Sequence, residues 1–170
     1  MINKLFFLLL LIFQISYSQD IKIKEKELFK IFRKTIIQDK KGIIQINSNP
    51  WFTDNSNDNY FKKDTIIFRN AKSYNRNYCK IINWNFYKEN ALIIGDADYC
   101  NEPPNQKVTK PKDWIKLKTY NSKNDLILEL CNQNKLVEKF KVLSVEENQS
   151  KYNKDQSDYI LKLLRIKNYK

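Results

Sequence analysis

From residue 43 onward the chain alternates short apolar runs with clusters of Asn, Asp, Ser and Pro, and that rhythm leaves few folds open. Eight runs carry β-type residues: 43–47, 65–69, 78–87, 91–100, 114–120, 125–131, 137–145 and 159–166. Runs this short, bounded by turn formers, read as strands. Asn47 to Asn59, Asn101 to Lys112 (with Pro103, Pro104 and Pro111) and Glu146 to Asp158 read as loops. Strands apolar on one face and joined by short connections form an antiparallel meander, closed into a barrel or stacked as a sandwich. Only residues 20–38 show a helical period. There Leu28, Phe29, Ile31, Phe32 and Ile36 recur at spacings of three and four, which predicts a short helix near 24–34.

Two hairpins have a legible register. A turn at Glu89-Asn90 sets Phe86 opposite Ile93, Trp84 opposite Gly95 and Ile82 opposite Ala97, an apolar face in which a large ring covers a glycine. The same register sets Asn83 opposite Asp96, Ile81 opposite Asp98 and Cys79 opposite Cys100, and turns Asp96 and Asp98 outward. A turn at Asn121 to Asn124 brings Ile115, Leu117 and Thr119 against Leu130, Leu128 and Leu126, with Lys116 opposite Glu129. Phe140 and Val142 join that face if the next loop has three or five residues. A slip of one would set Lys139 and Lys141 against the leucines.

The N-terminus predicts export. Lys4, the apolar run Leu5 to Phe13 and the small residues Ser16 and Ser18 form the pattern of a signal peptide over 1–18, cleaved after Ser18 and before Gln19. That run is half the ~20 apolar residues a membrane-spanning helix needs. Residues 19–170 then form one domain, secreted or periplasmic and not membrane-spanning.

The net charge of +12 has two readings: attraction to an anionic surface, or a composition rich in Lys, Asn and Ile together. Lysines are scattered rather than blocked, and arginine, the better base reader, occurs only at Arg33, Arg69, Arg76 and Arg165. Nucleic acid is therefore not an expected partner.

The sequence contains no histidine and only two glycines, Gly42 and Gly95. Triads and metal sites built on imidazole are excluded, as are glycine-rich phosphate loops. Neither a cofactor nor a metal is expected. Asp54 to Asn59 has the composition of a faint calcium loop but lacks the Gly and terminal Glu of an EF-hand, so turn chemistry explains it better. Asp96, Asp98 and Glu102 are the carboxylates nearest to an acid–base set; as outward strand residues they offset lysines, and no catalytic residue is assigned. In an exported protein Cys79 and Cys100 are expected to form a disulfide, with Cys131 left free. Trp51, Trp84 and Trp114, with Tyr60, Tyr78, Tyr99 and Tyr120, either line an apolar cavity or fill a small-barrel core.

Several segments in order carry a resemblance: Asp64-Thr65-Ile66-Ile67-Phe68, Ile82-Asn83-Trp84-Asn85-Phe86 with Gly95, Cys100-Asn101-Glu102-Pro103-Pro104, Trp114, and Phe140-Lys141-Val142-Leu143-Ser144 before Tyr159-Ile160-Leu161. Over about residues 64–166 the chain resembles the small secreted lipocalin-like domains of Bacteroidota. The Gly-x-Trp of true lipocalins is absent, and Asn49-Pro50-Trp51 stands nearest to it. The resemblance implies an eight-stranded up-and-down barrel after a short helix, with an interior for a small apolar molecule. The function expected is non-enzymatic binding of a small hydrophobic or amphipathic ligand in the cell envelope, with Trp84, Phe86, Leu117, Leu128 and Phe140 lining the interior. The alternative is an envelope interaction module (an inhibitor, an immunity-type factor or a surface-binding accessory) acting through its basic exterior.

Overall fold

A computed structural model describes residues 23–45, 49–70, 78–100, 103, 105–150 and 157–167. The expected signal peptide, Glu102 and part of the run 43–47 lie outside the described residues. Helix α1, Glu25–Lys34, opens the described chain. Glu27 accepts a hydrogen bond from the Lys24 N–H at 3.3 Å, and acids in the first turn with Arg33 and Lys34 in the last complement the helix dipole. Its buried stripe is Leu28 and Phe32, two of the residues that predicted it.

The strands are β1 (Trp51–Asp54), β2 (Thr65–Asn70), β3 (Lys80–Lys88), β4 (Ala91–Asp98), β5 (Asn105–Gln106), β6 (Trp114–Ser122), β7 (Asp125–Asn132), β8 (Lys135–Gln149) and β9 (Ser157–Arg165); a single helical turn, α2, spans Asn59–Lys62. Eight of the strands close an antiparallel barrel, and the two-residue β5 lies along β4 outside it. Strands β3, β4, β6, β7, β8 and β9 follow one another as a meander. The first hairpin then closes the circle in reversed order: β1 pairs with β3 and β2 pairs with β9. In this one place the order departs from strict up-and-down succession. Among the described residues no helix is long and apolar enough to cross a membrane.

Four details differ from the sequence expectations. The run 43–47 supplies only an isolated bridge, Gln38↔Ile44, and the first barrel strand is Trp51–Asp54, inside a stretch that reads as a turn. Residues 146–149, expected in a loop, extend β8. In the β3–β4 hairpin Lys88 pairs with Ala91 as a Glu89-Asn90 turn requires, but a bulge at Tyr87 then moves the register by one. Trp84 faces Ile94, Asn83 faces Gly95, Ile82 faces Asp96 and Ile81 faces Ala97. Outward Ile81 and Ala97 are covered by Phe52, Tyr78 and Tyr99 in a small outer cluster. The β6–β7 pair keeps the expected faces with a register moved by two, because its turn is Lys123-Asn124, both at positive φ. Glu129 accordingly faces Lys118 and pairs with Lys139 at 3.3 Å instead of Lys116.

The β7–β8 turn is also of two residues, Gln133-Asn134, again both at positive φ. A bulge at Val137 supplies the odd residue, so Phe140 and Val142 still point inward and are buried. A bulge inserts one residue into one strand and re-aims the side chains around it, which is why loop length alone does not give the register here.

The barrel is packed along its axis. Phe32 of α1 stacks on Phe86 at 4.3 Å and meets Trp51 edge-on at 5.5 Å. Deeper, Phe68 lies 4.2 Å from Trp84, and Trp84 lies 6.2 Å from Phe140. An eight-stranded barrel is just wide enough for its own side chains to fill, and these rings occupy that width. The helix plugs the end that holds the β3–β4 turn. Arg33 bonds Glu89, Lys34 reaches Glu147 at 3.4 Å, and the Trp51 indole N–H donates to Thr35 Oγ1 at 3.1 Å.

Candidate functional site

At the opposite end the packing stops short and leaves a cup of about 430 Å³. Its floor is Ile82, Ile94 and Ile115 with the ring of Tyr60, and Phe61 and Val137 stand at its edge. Phe61 is 56% exposed and Val137 51% exposed. Charged side chains of both signs also line it: Asp96 and Glu138 near the floor, and Asp113, Lys107, Lys112 and Lys135 toward the opening.

Local sequence explains how these groups converge. The bulge at Val137 lets neighbouring Val137 and Glu138 both border the cup. The bulge at Tyr87 turns Asp96 to the inner face, beside Ile82. The turn Asp54 to Asn59 delivers Tyr60. Asp54 accepts from the Ser56 N–H at 2.9 Å and from Asn59 Nδ2, and Asn55 Oδ1 accepts from the Tyr60 N–H at 3.2 Å. Asn57 and Asp58 take left-handed backbone conformations there, which Asn and Asp tolerate better than most residues. The acidic cluster therefore serves turn chemistry.

Under the floor lies a charged network. The Tyr60 hydroxyl donates to Glu138 Oε2 at 2.5 Å, Arg165 Nη1 donates to Glu138 Oε1 at 2.8 Å, and Arg165 Nη2 donates to the Tyr60 carbonyl at 2.5 Å. The guanidinium lies 5.1 Å from the Tyr60 ring centre and 5.4 Å from that of Phe140. Burial first, and the Glu138 carboxylate second, push the Tyr60 phenol well above its ordinary pKa. The Trp84 indole N–H approaches the same phenol without closing a hydrogen bond. Both Glu138 oxygens are engaged, so this carboxylate braces the floor. Tyr60 also borders a second cavity of about 180 Å³ in the seam between β1 and β2, strands that pair at Phe52↔Arg69.

The five residues expected to line an interior, Trp84, Phe86, Leu117, Leu128 and Phe140, are all buried in the core, and none borders either cavity. Of the expected carboxylates, Asp96 lies at the cup rather than on the outer face. Asp98 is tied up, with Oδ1 accepting from the Cys100 N–H at 2.9 Å and Oδ2 lying 3.6 Å from Lys80 Nζ. Its carboxyl sits below the usual range chiefly because of that Cys100 N–H. Among the described residues no group of three or more acids or cysteines is placed to hold a metal ion.

Cys79 and Cys100 are exposed free thiols and Cys131 is a buried one. The moved register sets Cys79 beside Tyr99, whose N–H donates to the Cys79 carbonyl at 2.7 Å. A hydrogen bond with Cys79, with burial second, pushes the Cys100 thiol up to about 12.

Tyr60, one of the aromatics expected to line a cavity or fill the core, borders the cup; periodicity misses Glu138, Lys107, Lys112 and Lys135, because their grouping depends on bulges and loop returns that a period of two does not contain. The one available signal was the solitary Glu138 in an otherwise lysine-flanked apolar run. No protein-family model, curated protein or solved structure matches the chain.

Proposed function

We propose that the protein is a non-enzymatic binding barrel that holds a small hydrophobic or amphipathic molecule at its open mouth and acts in the cell envelope after export. The observation that carries this reading is the cup itself: about 430 Å³, an apolar floor and a charged rim. That volume lies within the ~300–1,000 Å³ common for small-molecule sites. Exposed Phe61 and Val137 at its edge add apolar surface that a ligand in the cup would cover. The same exposure favours a second reading, in which a protein partner covers the mouth. An oxidised Cys79–Cys100 bridge belongs to the proposal as well. It would close a loop of about 20 residues, worth roughly 3 kcal/mol by loop entropy, and fix the strand ends from which the rim segment with Lys107 departs.

Native mass spectrometry of the protein purified from its own cell envelope tests the proposal. An added small mass, lost on denaturation, is the expected result. A stable complex with another protein supports the second reading. A bare monomer contradicts both.

A further inference from the structure

We infer that the mouth selects a single-chain amphiphile with an anionic head, bound tail inward; this rests on the mouth being the ligand site proposed above. The sign of the head follows from which charges at the cup are already matched. Glu138 is neutralised by Arg165 at 2.8 Å. Asp113 Oδ2 accepts the Lys110 N–H at 2.7 Å, which holds the carboxylate in its own turn and leaves its charge in place. Lys107, Lys112 and Lys135 border the cup, and none of them has an ion partner among the described residues. Three lysines against the carboxylates of Asp96 and Asp113, neither of which has an ion partner among the described residues, leave the mouth with a positive excess, on a chain whose net charge is already +12.

Asp96, the one acid at the cup with no partner among the described residues, fixes the orientation. It stands opposite Ile82, at the level of the floor. An anionic head entering the cup would meet this carboxylate beside apolar side chains. The head stays at the lysine rim, and the tail lies on Ile82, Ile94 and Ile115. About 430 Å³ holds roughly fourteen groups the size of a water at ~30 Å³ each, the size of a head with a tail of about ten carbons. Flexible exposed lysines each contribute little, so selectivity is set by three acting together and weakens with salt.

Calorimetric titration with decanoate, decyltrimethylammonium and decanol, each below its micelle concentration, reads the inference directly. Decanoate is expected to bind at least tenfold more tightly than the ammonium analogue, with the gap narrowing between low and high sodium chloride. Inorganic phosphate alone is expected to bind far more weakly than decanoate. The triple variant K107E/K112E/K135E, changed only at exposed positions, is expected to reverse the preference toward the ammonium. Equal binding of all three heads, or preference for the ammonium by the unaltered protein, overturns the anionic head while leaving the mouth as the ligand site. Phosphate binding as tightly as decanoate reduces the site to a surface anion patch and overturns the tail. No binding of any of the three amphiphiles overturns the mouth reading itself.

Discussion

The two ends of the barrel are built from the same strands and solve opposite problems. At the closed end α1 lowers Leu28 and Phe32 into the opening, where both are fully buried, and polar groups there tie helix to barrel: Lys34 with Glu147 and Thr35 with Trp51. At the open end α2 is too short to cover the mouth, and its Tyr60 lies against the wall beneath a cup that nothing in the described chain fills. At this end a polar network braces the floor beside apolar side chains left exposed. A full apolar plug is the arrangement of a stabiliser. If the mouth is the binding site proposed above, stability and binding lie at opposite ends of the barrel axis, and substitutions at the two ends should have separable effects.

The largest effect is expected from Phe32→Ala. It removes a ring stacked on Phe86 and edge-on to Trp51, at a cost of about 3–5 kcal/mol. Urea unfolding should show that loss while the folded fraction keeps its binding at the mouth. If binding falls in proportion to stability under native conditions, the two ends are not separable.

Glu138→Leu comes next. It leaves Arg165, only 14% exposed, without its carboxylate and the Tyr60 hydroxyl without its acceptor, costing about 3 kcal/mol. Glu138→Gln should cost less because it keeps an acceptor for the phenol. Here binding at the mouth should suffer together with stability, since the floor itself is altered.

An acid titration probes the closed end more gently. The Ser157 hydrogen bond foremost, helped by Tyr159 and Lys34, holds the Glu147 carboxyl below its ordinary value. A carboxyl depressed in the folded state contributes stability above its unfolded pKa and loses it as pH falls through the folded value. The urea midpoint should therefore drop below about pH 4.5, and Glu147→Gln should flatten that part of the profile. An unchanged profile in the variant would remove Glu147 from the anchoring of α1.

The smallest effect tests the register. A Cβ on Gly95 would meet Asn85 Nδ2 at 3.5 Å and Asn83 Cβ at 3.6 Å, ordinary contacts. Gly95→Ala should change stability by no more than about 0.5 kcal/mol. A loss of several times that size would mean that a large ring, such as Trp84, lies over the glycine.

The position of Gly95 under Asn83, and not under Trp84, is not legible in the sequence. The helix is readable because Leu28 and Phe32 sit four residues apart on one face. The long strands are readable because alternation is a local property, and the faces of β6 and β7 survive a register shift of two since the side-chain period is two. Asp96 was not readable. Its orientation hangs on one extra residue, Tyr87, and a bulge has no signature in a period-two pattern. Strand β1 hides for another reason. Only four residues long and bounded by Pro50 and Asn55, it is stabilised by partners distant in sequence, Trp84 through Ile81, and not by its own pattern. The candidate site inherits both difficulties, because it depends on two bulges and on the turn that delivers Tyr60.

Under the proposal, a ligand sits at the mouth and not in the barrel interior. Mapping amide NMR shifts during a decanoate titration tests it most directly. The account predicts shifts concentrated at Ile82, Ile94 to Asp96, Ile115 and Val137, with Leu28, Phe32 and Phe86 unmoved. Shifts centred on Phe32, Phe86 and Trp84 would contradict it and return the ligand to the interior.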